Sequence, residues 1–312
     1  MAEPELIALA ERLGSQPFLV FAALAAVLVL ALLVTTVVGR WAVRHARGIW
    51  EMATRLWARL ATRPAMQRLE SRFPFVWKLM RRLTAAEYLV LHLVLGLALA
   101  YAAVGFVNLA GAVTGEALIV RVDLALANAL HEAATPGGIE FMRAYTFLGG
   151  GIALTVIGVI VALYLITGGR RVLAIGWVVA VAGGGLLNRG LKGWFDRPRP
   201  SFEEPIAIVG GWSFPSGHSM GTFVTIGMLA YLVFLGVRSA SLRIVVVAAA
   251  MIWIVFMGFS RMYLGAHYLS DVLAGFAAGT MWLAACISGV EIARRRWLGR
   301  HVPEPQQVTG PA

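Results

Sequence analysis

The chain has 312 residues, of which 59% are hydrophobic and 14% charged, with a mean hydropathy of +0.77. Water-soluble domains run near ~45–50% apolar and ~25% charged, so a single soluble core is excluded; disorder is excluded by the same hydrophobicity, and a disulfide framework by the lone Cys286. The net charge of +11, from 27 Lys and Arg against 16 Asp and Glu, then reads as cytoplasmic anchoring of a membrane protein rather than nucleic-acid binding.

Seven stretches are apolar enough for membrane helices, which need roughly 17–25 residues each. The first, Pro17–Val38, follows Glu3, Glu5 and Glu11 and precedes Arg40, Arg44 and Arg47. That order is the reverse of a cleavable signal peptide and predicts a retained anchor with its N-terminus outside. Between Arg40 and Arg82 lie eleven basic residues against two acids, interleaved with Trp41, Trp50, Trp57 and Trp77. This pattern suits an amphipathic segment on anionic lipid headgroups, or else a solvated linker helix.

Tyr88–Ala110 is the second span, and the Leu/Ala pattern of Gly111–Gly150 predicts a helical hairpin on the outer side, with His131 facing solvent. Gly151–Thr167 and Val172–Leu191 follow, the latter interrupted by Gly183, Gly184 and Gly185. His218–Gly236, Ile244–Phe259 and Tyr268–Val290 complete the set. Alternation puts Gly168–Arg171, Arg238 with Arg243, and the tail with Arg294, Arg295, Arg296 and Arg300 inside. The segments 111–150, 192–217 and 260–267 fall outside. Basic residues in those outer segments break the positive-inside rule and need another reason to be there. The expected fold is an all-α polytopic bundle of about seven membrane helices. It divides into an anchor and basic segment (1–86), a six-helix domain (87–297) and a cytoplasmic tail (298–312).

The outer segments carry Lys192 with Arg199-Pro200, then Pro215-Ser216-Gly217-His218, then Ser260-Arg261 with His267 and Asp271. Lys192, Arg199 and Arg261 are cationic arms, and the planar guanidinium fork matches phosphate oxygens. Ser216 and Gly217 open an apolar helix whose free N–H groups and positive dipole end suit an anion. Ser216 is also a good N-cap. His267 and Asp271 are spaced i, i+4, so on a helix the carboxylate reaches one ring nitrogen, fixes the tautomer and raises the basicity of the other. His218 is then free to protonate a leaving oxygen. Together this describes phosphoryl transfer through a phosphohistidine, with cations on the equatorial oxygens.

These three pieces, Lys192-x6-Arg199-Pro200, Pro215-Ser216-Gly217-His218 and Ser260-Arg261-x5-His267-x3-Asp271, closely resemble the signature of the type 2 phosphatidic acid phosphatase family, which also includes soluble vanadium haloperoxidases. The resemblance extends from Tyr88 to about Arg296. It implies a six-helix core with His267 as nucleophile, Asp271 as its partner and His218 as acid. Lys192, Arg199, Ser216, Gly217 and Arg261 would hold the phosphate, with no metal or cofactor required. It further implies an integral-membrane lipid phosphatase; the composition of the basic loops suits a bacterial inner membrane, with the site facing the exterior or periplasm. Its substrate would be of the undecaprenyl diphosphate, phosphatidylglycerol phosphate or phosphatidate class. A phosphotransferase using the same phosphohistidine and a lipid transporter or scramblase with a phosphate site are the alternatives.

The remaining polar and aromatic residues have ordinary expectations. Asn188 and Arg189 either serve the site or hydrogen-bond a neighbouring helix. Asp196 and Arg197 form a surface ion pair of little worth. Trp194, Phe195, Trp212, Phe214 and Tyr263 line a lipid entry or form the outer aromatic belt. Cys286 packs in the last span.

Overall fold

The computed structural model describes residues 3–34, 36–37, 55, 59, 86–115 and 117–301. The interfacial role expected for Arg40–Arg82 falls outside the described residues, apart from helical Arg55 and Arg59, and so does the tail beyond 301. Among the described residues the chain is helical, with no strand. The helices are α1 (Glu3–Ser15), α2 (Pro17–Val34), α3 (Ala86–Val113), α4 (Leu118–Glu132), α5 (Pro136–Phe147), α6 (Gly151–Thr167), α7 (Arg171–Phe195), α8 (Gly217–Gly236), α9 (Ala240–Tyr263) and α10 (Leu269–His301).

Among the described residues seven helical stretches are long and apolar enough to cross a bilayer, matching the expected number; the third runs Pro136–Thr167, through the short turn between α5 and α6. The third thus starts earlier than the expected Gly151, and the sixth, Ala240–Tyr263, extends Ile244–Phe259 by residues from both flanks, Ser239 starting it by accepting the Leu242 N–H at 3.4 Å. The fourth is continuous through Gly183–Gly185. Those glycines admit a neighbour instead of breaking the helix: a Cβ on Gly183 would lie 2.5 Å from the Trp282 ring of α10. Small residues at helix contacts are the usual device where lipid removes the hydrophobic drive for association.

The chain forms two compact units. One, residues 26–97, holds the later part of α2 and the start of α3; its Thr36 hydroxyl is satisfied by the Leu32 carbonyl at 2.7 Å. The other, residues 1–25 and 98–312, contains everything else.

Within that larger unit α10 is the central helix, packed on α7, α8 and α9. One core cluster joins Leu165 of α6, Trp177 of α7, Val224 and Met228 of α8, and Leu283 and Val290 of α10. The indole donors inside it are satisfied by carbonyls of adjacent helices, Trp177 on Gly158 at 2.8 Å and Trp282 on Ala180 at 2.9 Å, as a dry interior demands. A second cluster ties Leu130 of α4 and Met142 of α5 to Phe259 and Tyr263 of α9. The segment expected as a hairpin forms two helices, α4 and α5, which pack on α9 rather than on each other; α5 continues with α6 as one candidate span, and α1 packs along α4 with Glu3 bonded to Arg121 at 2.8 Å.

The start of α8 is clamped against α10 at Gly275, where a Cβ would lie 2.8 Å from the Ser216 carbonyl oxygen and 3.0 Å from the Ser219 Cβ. Backbone cannot swing aside as a side-chain end can. Gly275→Ala should therefore destabilise the protein in detergent by about 1–3 kcal/mol and lower its turnover by shifting Ser216. Gly185→Ala on α7, which meets nothing within 4 Å, should leave stability unchanged or raised by up to ~1 kcal/mol. Thermal unfolding of the two variants side by side checks this.

Candidate active site

The three signature segments meet at one end of the larger unit. α7 delivers Lys192 in its last turn and stops at Asp196, whose φ of 43° is the left-handed conformation that Asp tolerates at a helix C-cap. The chain then crosses the bundle end as an extended segment bearing Arg197 and Arg199. Ser216 caps α8, accepting from the Ser219 N–H at 3.4 Å and the Ser219 hydroxyl at 3.0 Å. Its own N–H donates to the Asp271 carbonyl at 3.0 Å, which fastens the second segment to the third.

His267 and Asp271 do pair, but not as neighbours on one helix face. His267 lies in the turn before α10, and Asp271 sits in the first turn of α10. The Asp271 carboxylate reaches back to accept the Tyr268 N–H at 2.9 Å, in the manner of the acidic partner in a capping box. That capping bond brings Oδ2 to 3.5 Å from His267 Nδ1. Ser213 stands between them, donating to Asp271 Oδ2 at 2.5 Å with its Oγ 3.3 Å from Nδ1.

The other ring nitrogen, Nε2, lies 3.1 Å from Arg199 Nη1. A guanidinium only donates, so Nε2 carries the lone pair and Nδ1 the proton, which points at Ser213 and Asp271. Burial pushes the His267 pKa down to about 4; Asp271 works against the fall, and Arg199 and Arg261 add to it. The ring is accordingly a neutral base at pH 7 with its free lone pair facing a guanidinium.

Arg199 is the cation at this nitrogen, with Arg261 near enough for its charge to act on the ring. Arg199 also donates to the carbonyls of Ala266 at 2.7 Å, Gly211 at 2.9 Å and Trp212 at 3.1 Å, and Lys192 donates to the Trp212 carbonyl at 2.5 Å. Arg261, buried, donates to the Thr146 hydroxyl at 3.0 Å, while its Nε has no hydrogen-bond partner. An unpartnered buried guanidinium N–H is costly unless something else accepts it. Gly217 lies close beneath Lys192 and Asn188: a Cβ there would be 2.9 Å from Asn188 Oδ1 and 3.7 Å from Lys192 Cε. His218 stands beside the turn between α5 and α6, its Nε2 3.8 Å from where a Gly150 Cβ would be. Among the described residues no group of three or more His, Cys, Asp or Glu is arranged to hold a metal ion.

Several expectations need correction. Arg197 is not half of a surface pair with Asp196. It is buried and donates to Asp271 Oδ1 at 2.6 Å, to Ser270 Oγ at 2.7 Å and to Asp123 Oδ2 at 2.9 Å. Burial opposes its charge, but the Asp271 and Asp123 carboxylates outweigh that and hold its pKa above the ordinary value. Phe214 and Tyr263 neither line an entry nor form a belt: both are fully buried. Phe214 sits in an aromatic cluster with Phe106 and Phe195, and the Tyr263 hydroxyl accepts the Thr135 N–H at 3.0 Å. His131 is stacked on Phe202 at 4.1 Å rather than facing solvent. Asn188 is buried against Met220 of α8, whereas Arg189 is exposed.

In this helical bundle a neutral histidine thus stands between a carboxylate and a guanidinium, an arrangement suited to an anion. Residues 171–295 match the model of the PAP2 superfamily. Over 98 residues the chain is 41% identical to phosphatidylglycerophosphatase B of Bacillus subtilis (strain 168), a match covering 31% of this chain and 47% of that protein. The chain thus spans about half the length of the curated relative it matches. Its fold resembles the crystal structure of the first transmembrane PAP2 type phosphatidylglycerolphosphate phosphatase from Bacillus subtilis. That likeness has a TM-score of 0.57 at 28% identity and covers 64% of this chain and 96% of that one. Aquifex aeolicus LpxE is a more distant match, with a TM-score of 0.44 at 22% identity over 53% and 94% of the two chains. The likeness to the PAP2 superfamily thus lies in residues 171–295, the part of the chain that carries the three segments of the site.

The depressed His267 pKa has a measurable sign. Its folded-state value of about 4 lies below the ordinary 6.5, so the contribution of this ring to stability is complete above ~6.5 and is lost as the pH falls toward ~4. In protein labelled at histidine carbons, the His267 resonance should hold its neutral-ring position from pH 8 to 5.5 and move only below that. The Nδ1–H tautomer should be visible in the nitrogen shifts.

Proposed function

We propose that this protein is an integral-membrane lipid phosphatase that works through a phosphohistidine on His267. The observation that carries the reading is the orientation of that ring, with Nδ1–H backed by Ser213 and Asp271 and the Nε2 lone pair aimed at Arg199. A phosphate monoester entering here would take the guanidinium and ammonium donors now spent on backbone carbonyls at 211, 212 and 266. The free N–H of Arg261 would supply another bond. Freed from Arg199, Nε2 attacks phosphorus, the P–O bond to the lipid breaks, and the leaving oxygen takes a proton from His218. Asp271 and Ser213 stabilise the positive charge that develops on the ring. In the second half, His218 takes a proton from water, the water oxygen attacks phosphorus, the P–N bond breaks and inorganic phosphate leaves. Lys192, Arg199, Arg261 and the N–H groups at Ser216 and Gly217 balance the charge spread over the equatorial oxygens.

The substrate class follows from the surroundings and the relatives. The site lies at one end of helices whose outer faces are apolar, so a lipid can present its headgroup there while its tail stays in the bilayer. The names of the similar Bacillus proteins favour a phosphatidylglycerol phosphate headgroup over phosphatidate or undecaprenyl diphosphate. By the charge rule the site faces the exterior or periplasm of a bacterial inner membrane.

In detergent, purified protein should release phosphate from phosphatidylglycerol phosphate, with EDTA present, faster than from the other two lipids. His267→Ala should lower turnover by about 10³-fold or more, since removing a nucleophile leaves only binding and electrostatic catalysis. Full activity in His267→Ala would remove the mechanism. Equal rates on all three lipids would remove the headgroup preference.

A further inference from the structure

We infer that Arg197 and Asp123 form a positioning clamp that sets the geometry of the His267–Asp271 pair, so that α4, which carries Asp123, is part of the reaction machinery. The inference rests on the phosphohistidine reading above and extends it to Asp123 of α4 and to Arg197, one of the variable positions of the first signature segment. Asp271 has two carboxylate oxygens with different tasks. Oδ2 serves the ring through Ser213 and lies 3.5 Å from Nδ1. Oδ1 faces away from the ring and accepts from Arg197 Nη1 at 2.6 Å. A carboxylate held at both oxygens cannot rotate about its Cβ–Cγ bond, and the direction in which Oδ2 points is then fixed from behind.

Arg197 is itself held at several points. Its Nη1 also donates to Ser270 Oγ, its Nη2 donates to Asp123 Oδ2, and its guanidinium lies over the Tyr268 ring at 4.4 Å. Its carbonyl accepts the Ser213 N–H at 2.8 Å, so the same residue also fixes the serine that stands between carboxylate and ring. Asp123 completes the arrangement from α4. Its Oδ1 accepts the Ser270 N–H at 3.0 Å, and its Oδ2 accepts the Ser270 hydroxyl. Asp123, Ser270 and Asp271 are each at most 1% exposed and Arg197 is 8% exposed. Two buried carboxylates and one guanidinium in so dry a place persist only with matched geometry, and every bond in the set converges on the residues flanking Asp271. Arg197 and Asp123 touch no reacting atom, so they are positioning residues acting through Asp271 and Ser213.

Kinetics of Arg197→Met, Arg197→Lys and Asp123→Asn on phosphatidylglycerol phosphate, with inorganic phosphate as a competing ligand, test the clamp. Orienting partners one step removed from a reacting group are commonly worth about 10- to 100-fold. Arg197→Met should lower kcat by about that factor, while KM and the inhibition constant of inorganic phosphate stay within about twofold, because the phosphate-facing cations are untouched. Arg197→Lys keeps one donor but not the fork, and should recover part of the loss. Asp123→Asn, which keeps size and can be judged even if Arg197→Met does not fold, should also lower kcat selectively. The Arg197→Met/Asp123→Asn double variant should lose little more than the worse single variant. Arg121→Ala, which breaks only the exposed contact of α4 to Glu3, serves as the control and should stay within twofold of wild type. The clamp is overturned if Arg197→Lys and Asp123→Asn keep wild-type kcat while His267→Ala is inactive. It is overturned equally if every folded variant loses kcat and phosphate affinity in parallel, the mark of a general structural role. Activity surviving His267→Ala would instead overturn the phosphohistidine reading on which the clamp rests.

Discussion

One buried carboxylate organises this end of the protein. Asp271 is fully enclosed, and a bare carboxylate in such a place would be heavily penalised by its lost hydration. It is kept by four distinct partners: the Tyr268 N–H, the Ser213 hydroxyl, the Arg197 guanidinium and the facing His267 ring. The partners come from two separate connections, the segment between α7 and α8 and the turn before α10, so satisfying this one charge brings the two together. The segment after α7 must cross to deliver Arg197, the approach to α8 must place Ser213, and α10 must begin where Tyr268 can be capped. The Ser216 N–H bonded to the Asp271 carbonyl adds the start of α8 to the same centre.

The bilayer setting explains why the scaffold around this centre is built as it is. Lipid gives helices little hydrophobic reason to associate, so contact comes from close backbone approach and satisfied polar groups. Glycine at 275 lets α10 touch the backbone at Ser216, and the indoles of Trp177 and Trp282 bond carbonyls of neighbouring helices. Such contacts tolerate little adjustment, which suits an arrangement that holds a histidine lone pair and several cations in fixed relation. The cations, by contrast, have weaker tenancy: Lys192 and Arg199 bond loop carbonyls that phosphate oxygens can replace.

Much of this was legible in the sequence. The apolar stretches marked the membrane helices because a span must be long and nearly uncharged, and the basic residues at 192, 199 and 261 marked segments that the fold brings together at one end of the helices. His267 and Asp271 were recognisable by spacing, although the pair forms through capping of α10 and not through a shared helix face. What escaped was whatever depends on long-range burial. Arg197 next to Asp196 looks like a surface pair, and nothing local says that Asp123, 74 residues away, is its true counterpart. A signal was present in hindsight: Asp123 is the lone acid within the apolar run 122–130, and an unpaired charge in such a run calls for a buried partner. Gly183–Gly185 misled for the opposite reason, since glycine reads as a helix breaker until the Trp282 ring is seen against it. Phe214 and Tyr263 misled because aromatic residues near a span end suit either an interface or a core.

The central claim, that His267 Nε2 accepts the phosphoryl group while Asp271 and its neighbours hold the ring, is tested most directly by trapping the intermediate. Wild-type protein mixed with a ³²P-labelled lipid phosphate, quenched in alkali within one turnover and digested, should carry label on the peptide containing His267. The linkage should be stable to base and labile to acid. Label on the His218 peptide, or a full burst of phosphate release with no protein-bound label at any quench time, would contradict the account.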